Sequence, residues 1–388
     1  MKTRDADWHG GRTWSLVYPA GDDVDEVLRE ANNLYLFENA LNPFRFPSLR
    51  QMQADIVAMT TDLLHGGEDA TGAMTSGGTE SILMAVKTAR DRAHAERGIT
   101  APEMVIPRSA HPAFAKAGKY LCVEMKPVPL RDDLRADVAA AAKLITGNTV
   151  LMVGSAPCYP HGVIDPIAEL ARLAAEHNIS FHTDACVGGF LLPFIERLGY
   201  PVPPWDFRVP GVTTISADVH KYGYCTKGAS VIAHRSQATI QYQMFMYDDW
   251  PGGLYGSAAF AGTRPAAPIA AAWAVMNYLG EAGYLRLQSL VMETAQRLRA
   301  GIEAIGPLKI WGQPDTSLMA FGSDEIDIMA VGDAMDDKGW HLDRQENPHA
   351  LHMMVTPNHA KIVEGFLTDL REAVSRHGPA RGVAARYS

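Results

Sequence analysis

The fold is decided by residues 149–185, which read TVLMVGSAPCYPHGVIDPIAELARLAAEHNISFHTDA. An apolar run over 149–155 is followed by a helical pattern over 165–177 and by a second apolar run over 179–185. Two short apolar runs that flank a helix are typical of parallel strands joined by a crossover connection. The segment therefore predicts one strand-helix-strand unit of a parallel sheet.

The same alternation continues on both sides of this unit. Further strand-like runs lie at 104–106, 212–217 and 230–235, and further helical patterns lie at 79–95, 111–119 and 134–145. Alternation of this kind predicts an α/β fold with a mainly parallel sheet and helices on both faces. Ligands of such sheets bind at the carboxyl ends of the strands, so we expect the functional residues at that edge.

The chain is predicted to divide into four parts. They are an N-terminal arm and helix over 1–65, a large domain over 66–275, a small C-terminal α/β domain over 276–375 and a mobile tail over 376–388. A long helical pattern from Pro268 to about Ile305 joins the two domains. In the small domain, strand-like pieces at 308–311, 317–321, 340–342 and 350–355 accompany helical patterns at 326–338 and 359–374.

Charge and hydropathy disfavour several classes of protein. The chain of 388 residues carries 35 Lys and Arg against 44 Asp and Glu, and the net charge of −9 disfavours nucleic acid as a partner. The most apolar stretch, 266–279, contains Pro268 and is shorter than the ~20 residues needed to cross a bilayer, so no membrane span is predicted. The start of the chain lacks a signal-peptide pattern, and the four cysteines form no CxxC pair. These features favour reduced thiols and a cytoplasmic location.

A glycine-rich loop, Ser76-Gly77-Gly78-Thr79-Glu80-Ser81, joins a short β-like run to a helical pattern. Glycines allow close approach of a ligand, and the free N–H groups of a helix N-terminus attract an anion. The loop therefore suits a phosphate, although taken alone it also fits an ordinary glycine turn. It matches neither a Walker loop nor a GxGxxG dinucleotide turn.

Two strand ends carry further candidates. Period-two alternation places His182, Asp184 and Cys186 on one side of a strand, and a zinc site is disfavoured because one strand rarely supplies adjacent tetrahedral ligands. An aspartate at this position can instead hold a protonated ring nitrogen in its charged form. Lys221 follows another strand-like run, where it fits either a Schiff-base lysine or a surface lysine. Lys227 is a second cation close by in the sequence.

A phosphate loop, then an aspartate, then a lysine, in an alternating α/β chain with a small C-terminal unit, is the order found in fold-type I pyridoxal-phosphate enzymes. Several longer strings also resemble the sphingosine 1-phosphate lyase family. They are SGGTESILMA (76–85), SAHPAF (109–114), PHGVIDP (160–166), HTDACVGGFL (182–191), WDFRVPGVTTISADVHKYGYCTKGAS (205–230) and AGTRP (261–265). The resemblance covers most of the chain.

The resemblance implies a role for each matching residue in holding pyridoxal 5'-phosphate. Lys221 would form the Schiff base, Asp184 would pair with the ring nitrogen, and His111 would stack on the ring. The residues expected around the cofactor phosphate are Gly78, Thr79 and His220, with Gly262 and Thr263 reaching in from a second subunit. The resemblance thus implies a homodimer with shared active sites. No metal site is predicted, since the spacing of the candidate ligands disfavours zinc.

The resemblance also implies the substrate and the reaction. A phosphorylated long-chain base would undergo retro-aldol cleavage to a long-chain aldehyde and phosphoethanolamine, with Lys221, a histidine or the cofactor phosphate as the base. The residues expected at the substrate are Tyr18, Asn42, Tyr159, His161 and Lys227. Asn42 departs from the family pattern, which has a histidine there, and Arg45 is a nearby cation that could replace it. The alternatives are an amino-acid decarboxylase of the same fold and a non-catalytic protein that binds the cofactor or a lipid phosphate.

Overall fold

The computed structural model describes residues 5–376 and 378–382 of the chain. Its largest sheet has seven strands in the order β1-β7-β6-β5-β4-β2-β3. The strands are β1 (Thr71–Thr75), β2 (Glu103–Pro107), β3 (Glu124–Val128), β4 (Thr149–Ser155), β5 (Ser180–Asp184), β6 (Val212–Ala217) and β7 (Ser230–His234). Strand β7 runs antiparallel to both of its neighbours, and the other pairs are parallel. The predicted mainly parallel sheet is confirmed.

Helices cover both faces of this sheet. Met104 and Ile106 of β2 pack against the helices that follow β1 and β2, on one face of the sheet. Val105, between them, belongs to the core of the other face, together with Ile167. Successive strand residues point to opposite faces, so each face has its own core. The helices are α1 (Asp22–Leu34), α2 (Pro47–Leu63), α3 (Gly78–Arg97), α4 (Ala113–Leu121), α5 (Val138–Leu144), α6 (Ile167–Glu176), α7 (Leu192–Arg197), α8 (Gln237–Ile240), α9 (Ala267–Glu303), α10 (Ile328–Asp337) and α11 (Val363–Arg376).

A second, four-stranded antiparallel sheet lies in the C-terminal part, in the order β10-β11-β13-β12. Its strands are β10 (Lys309–Ile310), β11 (Leu318–Gly322), β12 (Asp343–Gln345) and β13 (Ala350–Met354). The strand predicted at 340–342 was placed wrongly, because it is β12 that pairs in this sheet. The apolar Trp340 and Leu342, which suggested a strand, pack in the small core beside Trp14, and His341 forms one isolated bridge with Thr13.

Three further strands were not predicted. Strand β3 is an edge strand with the polar sequence EMKPV, and edge strands lack the apolar pattern of buried ones. A small hairpin is formed by β8 (Phe245–Tyr247) and β9 (Tyr255–Ser257). All three residues of β8 are exposed, so the strand has no buried face and its sequence shows no apolar-polar alternation.

The long helix α9 connects the two sheets and is broken at Gly280, where φ is 51° and ψ is −170°. We propose that this break marks the division between the large and the small domain, close to the predicted boundary at 275. Of the predicted mobile tail, residues 377 and 383–388 lie outside the described part, and Arg381 contacts Asp333 of α10. Among the described helices, none has the length and apolarity required to cross a membrane.

Candidate active site

Most of the candidate residues gather at the carboxyl ends of the parallel strands. The glycine-rich loop follows β1, Asp184 ends β5, and Lys221 lies on the loop that follows β6. His111 follows β2, and Tyr159 and His161 follow β4. The parallel arrangement brings these chain-distant loops to one edge, as expected for this class of sheet.

Lys221 and Asp218 form an ion pair at this edge. Lys221 Nζ lies 3.1 Å from Asp218 Oδ2, and His220 Nε2 lies 3.6 Å from the same oxygen. Burial raises the pKa of Asp218, but Lys221, His220 and the hydrogen-bond donors around it outweigh this effect and the pKa is lowered. His220 itself is neutral at pH 7, because burial lowers its pKa to about 4. Asp218 was not predicted from the sequence, although it lies three residues before Lys221.

The glycine-rich loop is fixed against the loops after β5 and β6. A Cβ atom on Gly78 would lie 2.7 Å from Cys186 Sγ and 2.8 Å from Asp218 Oδ2, so only glycine fits. Gly78 begins helix α3, whose first N–H groups have no partners within the helix. Thr79 follows and is exposed. The loop thus presents backbone donors at a helix N-terminus, where an anion is favoured.

Glu80 connects this loop to a distant part of the chain. Its Oε2 accepts hydrogen bonds from the backbone N and the Oγ of Ser76, at 2.7 and 2.6 Å. Its Oε1 accepts from the backbone N of Phe260 at 2.7 Å. Phe260 immediately precedes the AGTRP segment, so Glu80 couples the two regions that were predicted to contact cofactor phosphates.

Asp184 is buried, and its Oδ1 accepts hydrogen bonds from Cys186 N at 3.1 Å and Ser216 Oγ at 3.2 Å. His182 points the same way along the strand but bonds Thr214 and Ser216. Across the described ranges, no cluster of three or more His, Cys, Asp or Glu side chains could hold a metal ion. Asp184 therefore presents a buried carboxylate at the carboxyl end of β5.

His111 lies beside this group. Its Nδ1 accepts a hydrogen bond from Ala113 N at 3.1 Å, so any proton on the neutral ring is on Nε2. Burial lowers the pKa of His111, although Asp184 acts in the opposite direction. The ring is therefore neutral at pH 7 and lies within the electrostatic reach of Asp184 and Lys221.

A second cation of the site is Lys227, which packs over the ring of Tyr18. The Lys227 Nζ lies 4.4 Å from the centre of the Tyr18 ring and donates to the His220 carbonyl oxygen at 2.8 Å. Lys227 is exposed in the single chain, yet the protein atoms crowded around its ammonium, together with Lys221, lower its pKa to about 8. Tyr18 Oη donates to Met354 Sδ at 2.8 Å.

Tyr159 and His161 line a cavity of about 1200 Å³, together with His111. Tyr159 Oη donates a hydrogen bond to Asp343 Oδ2 at 2.8 Å. His161 is buried, which lowers its pKa to about 4. Asp343 was missed because β12 was predicted three residues too early, and its sequence DRQ is polar throughout and has no apolar alternation.

Three predicted residues lie on exposed loops. Asn42, Gly262 and Thr263 are all exposed. They lie near one another, because a Cβ on Gly262 would be 3.9 Å from Leu41 Cδ1 and Ala40 N donates to Arg264 O at 2.9 Å. Asn42 Oδ1 accepts from Phe44 N at 2.9 Å, which fixes the turn.

The residues at the strand ends fit pyridoxal phosphate. A buried carboxylate suits a protonated ring nitrogen, and the helix N-terminus suits a phosphate. In the described part of the chain, the buried Asp218 Oδ1 has no hydrogen-bond partner, so it can accept a hydrogen bond from a ligand in the site. Because a side chain at Gly78 would clash with Cys186 and Asp218, backbone atoms would face the ligand at this position.

Comparisons with known proteins agree with this geometry. Residues 15–323 match the family model of the pyridoxal-dependent decarboxylase conserved domain. The chain is 44% identical to sphingosine-1-phosphate lyase of Oryza sativa subsp. japonica, over 98% of this chain and 73% of that protein. It is also 44% identical to sphingosine-1-phosphate lyase 1 of Rattus norvegicus, over 96% of this chain and 66% of that protein.

Two solved structures have the same fold as this chain. Sphingosine-1-phosphate lyase of Burkholderia pseudomallei K96243 superposes with a TM-score of 0.93 at 42% identity, covering 95% of this chain and 87% of that one. Glutamate decarboxylase of Lactobacillus brevis superposes with a TM-score of 0.83 at 22% identity, covering 98% and 91%, and shares the fold alone. The predicted fold-type I architecture is confirmed. The chain belongs to the sphingosine-1-phosphate lyase family, within the proteins that have the pyridoxal-dependent decarboxylase domain.

Proposed function

We propose that this chain is a pyridoxal-phosphate-dependent lyase that cleaves a phosphorylated long-chain base of the sphingosine 1-phosphate type into a long-chain aldehyde and phosphoethanolamine. The observation that carries the proposal is the pairing of two cationic groups at one site. Lys221 beside Asp218 suits the cofactor, and Lys227 above Tyr18 suits a second phosphate. The relatives that cover most of this chain are named for the same activity.

The cofactor, when bound, supplies a protonated ring that accepts the electrons of the breaking carbon–carbon bond. Asp184 would hold the ring nitrogen in its charged form, and His111 would lie against the ring. Lys221 would provide the amine for the Schiff base. Gly78, Thr79 and His220 would bind the cofactor phosphate, with neutral His220 contributing a hydrogen bond rather than a charge.

The substrate phosphate would bind beside Lys227, on the side that does not face the Tyr18 ring. A lysine ammonium and a phosphate attract strongly where water is partly excluded. His111 is poorly suited to act as the base, because its Nδ1 already accepts the Ala113 N–H. The large cavity beside Tyr159 and His161 leaves room for the rest of the substrate.

An amino-acid decarboxylase is the alternative that shares the fold, since glutamate decarboxylase superposes well at low identity. The cofactor-loaded protein is incubated with sphinganine 1-phosphate and, separately, with a panel of amino acids. We expect a long-chain aldehyde and phosphoethanolamine from the lipid and no carbon dioxide from the amino acids. Carbon dioxide without aldehyde would overturn the proposed lyase activity.

The Schiff-base assignment distinguishes an enzyme from a protein that merely carries the cofactor. Borohydride reduction of the loaded protein, followed by peptide mass mapping, should place the cofactor on Lys221. A Lys221→Arg variant should take up no label and should release no aldehyde. Labelling of another lysine, or none, would contradict the assignment.

We also propose that the chain forms a homodimer with shared active sites. The loops that carry Asn42, Gly262 and Thr263 are surrounded by exposed apolar side chains that a second copy would cover. Phe37 is 91% exposed and Phe44 is 79% exposed, and the β8 residues are exposed as well. Light scattering of the purified protein should give twice the mass of one chain, and Phe44→Asp should shift the equilibrium toward monomer.

A cytoplasmic location is our proposal for the compartment. It is supported by the four cysteines, which are all free, three of them buried. Free buried thiols are typical of proteins in reducing compartments. Cell fractionation should recover the protein with cytoplasmic markers; recovery in a membrane or exported fraction would contradict this.

A further inference from the structure

Four polar side chains lie together on one face of β5 and β6, at the carboxyl ends of the strands. The two strands are parallel, and their register pairs His182 with Thr214 and Asp184 with Ser216. Residues two apart on a strand point to the same side, so all four share one face. All four are buried. Buried polar groups need hydrogen-bond partners, and these side chains supply partners to one another.

The direction of each hydrogen bond in this group follows from a count of protons. Ser216 Oγ lies 3.2 Å from Asp184 Oδ1, and an ionised carboxylate only accepts, so the one hydroxyl proton is directed to Asp184. His182 Nε2 lies 3.2 Å from the same Ser216 oxygen and must therefore donate to it. Burial lowers the pKa of His182 to about 4, so the ring is neutral. Its Nδ1 then accepts from Thr214 Oγ1 at 2.9 Å.

Cys186 completes the group from the loop that follows β5. Its backbone N donates to Asp184 Oδ1 at 3.1 Å, and its Sγ donates to Ser216 Oγ at 3.2 Å. Burial raises the pKa of the Cys186 thiol well above its ordinary value, so the sulfur keeps its proton. Ser216 Oγ thus accepts two hydrogen bonds, from His182 and Cys186. Its own proton is left for Asp184.

Both recorded hydrogen bonds to Asp184 end at Oδ1, and within the described residues none reaches Oδ2. The protein thus holds one carboxylate oxygen and leaves the other for the ring nitrogen of the cofactor. A carboxylate that accepts hydrogen bonds is a weaker base than one that accepts none. A proton shared with the ring nitrogen then lies on the nitrogen, and the charged ring is the form that accepts electrons.

We propose that Ser216 is a positioning residue that holds the Asp184 carboxylate ionised toward the cofactor ring, and that His182 fixes the direction of the Ser216 hydroxyl. The role rests on the part of the proposed function that puts pyridoxal phosphate in this site. It does not depend on which substrate is cleaved. Side chains that only filled space behind Asp184 would leave the protonation of the ring unchanged.

The first test observes the ring nitrogen directly. The protein is loaded with pyridoxal phosphate that carries nitrogen-15 in the ring, and its NMR shift is compared with that of a Ser216→Ala variant. We expect the shift of a protonated ring in the wild type. In Ser216→Ala it should move toward the unprotonated value, because Asp184 loses a donor and becomes a stronger base. An identical shift in the two proteins would overturn the proposal.

Thr183→Val is the matched control for this test. Thr183 lies between His182 and Asp184 on β5, is buried, and donates through Oγ1 to the Trp205 carbonyl at 3.1 Å. It points to the opposite face of the strand, so its loss removes a buried hydroxyl without touching Asp184. The control should keep the wild-type ring-nitrogen shift. A displacement equal to that of Ser216→Ala would show general damage to the sheet and would overturn the role.

The second test asks whether His182 acts through Ser216. His182→Gln keeps an N–H donor for Ser216 Oγ and should retain the wild-type ring-nitrogen shift. His182→Leu removes the donor and should displace the shift in the same direction as Ser216→Ala. In a Ser216→Ala background, His182→Leu should add nothing, since the hydroxyl that it directs is absent. Equal displacements by His182→Leu in both backgrounds would overturn the part assigned to His182.

The tautomer of His182 gives a readout that needs no altered site. Nitrogen-15 NMR of the histidine rings at pH 7 should show the His182 proton on Nε2, and loss of the signal in His182→Gln identifies it. A proton on Nδ1 would leave Nε2 as an acceptor of the Ser216 proton. That proton would then be lost to Asp184, and the proposal would be overturned.

Turnover connects the role to the proposed reaction. Ser216→Ala should lower kcat for the phosphorylated base roughly 10- to 100-fold, with KM within about threefold of the wild type, because the ring charge matters as the bond breaks. An unchanged kcat would overturn the role. If the wild type releases no aldehyde, the proposed lyase activity fails, while the ring-nitrogen shift still decides the role of Ser216. Failure of the wild type to bind pyridoxal phosphate would overturn both.

Discussion

Lys221 Nζ lies 3.1 Å from Asp218 Oδ2, and the Asp218 side chain is 1% exposed. A carboxylate removed from water in this way is costly unless a cation compensates its charge. The pair therefore holds the lysine at the strand ends before any cofactor arrives. Removing only one of the two residues should therefore lower the free energy of unfolding.

We predict that Lys221→Met destabilises the cofactor-free protein by about 3 kcal/mol at pH 7, because the Asp218 charge is left without its partner. In the wild type the pKa of Asp218 is lowered, so its contribution is present at neutral pH and is lost as the pH falls through that pKa. In Lys221→Met, burial raises the pKa instead, and stability should recover as the pH falls and Asp218 becomes protonated. Urea unfolding between pH 5 and 8 measures this.

Lys309→Met is the matched control for this prediction, because it removes a lysine from a surface ion pair with Asp324. Exposed pairs contribute little to stability, so this change should have a small effect at every pH. Equal destabilisation by the two variants would show that the Lys221 effect is not due to burial of Asp218.

The pKa of Lys227, about 8, predicts how substrate binding depends on pH. A lowered lysine pKa means that the ammonium is lost as the pH rises through 8. We therefore expect KM for the phosphorylated base to rise between pH 7 and 9, while the substrate phosphate remains a dianion. Lys227→Met should raise KM roughly tenfold at pH 7 and should abolish this dependence. Steady-state kinetics at several pH values measure both effects.

Lys227→Arg keeps its charge above pH 9 and should extend tight binding to higher pH. Lys119→Met, which removes an exposed lysine of α4, is the control and should follow the wild-type profile. A KM that is flat with pH in the wild type would contradict the assignment of Lys227 to the substrate phosphate.

The residues that sequence reasoning found share one property: their signal is local. Gly78, Asp184 and Lys221 each follow a short apolar run, and the strand ends then bring them together. Asp343 had no such signal, because β12 reads DRQ and is half-buried. Its partner Tyr159 is 184 residues away, so only the folded packing of one sheet against the other joins them.

Asn42 shows a different limit. The sequence identified it as the residue in place of a family histidine, and the structure places it on an exposed turn, where its Oδ1 accepts from Phe44 N. If such a residue acts in the site of a second subunit, as proposed for the shared active sites, the packing of its own chain carries no sign of that role. The same holds for Gly262 and Thr263, which remain assigned by resemblance.

We predict that Asn42→His lowers KM for the phosphorylated base roughly tenfold at pH 6, because a histidine cation replaces a neutral donor. The gain should shrink by pH 8, where an exposed histidine with an ordinary pKa of about 6.5 is neutral. Asn42→Asp keeps the hydrogen bond to Phe44 N but adds a negative charge, so it should raise KM. Equal effects of the two variants would place Asn42 away from the phosphate.

We predict that Glu80→Ala weakens cofactor binding roughly tenfold, because its carboxylate holds both Ser76 and Phe260 through three hydrogen bonds. Titration of the cofactor-free protein with pyridoxal phosphate, followed by absorbance, gives the Kd. Glu176→Ala removes an exposed carboxylate of α6 and should bind as the wild type does. An unchanged Kd in Glu80→Ala would mean that the loop keeps its shape without this link.

Shared active sites predict recovery of activity when two inactive variants are mixed. Lys221→Ala removes the Schiff-base lysine, and Thr263→Glu places a negative charge where the partner's cofactor phosphate is expected. A mixed dimer of the two has one site with an intact Lys221 from one chain and an intact Thr263 from the other. Co-expression with two affinity tags should therefore restore about a quarter of the wild-type activity, since half of the dimers are mixed and each has one intact site. Lys221→Ala mixed with Asp184→Ala is the control, because each chain then damages its own site and no intact combination can form. No recovery in the first mixture would mean that Thr263 serves the site of its own chain. Recovery in the control would mean that Lys221 and Asp184 of one chain do not act at the same site.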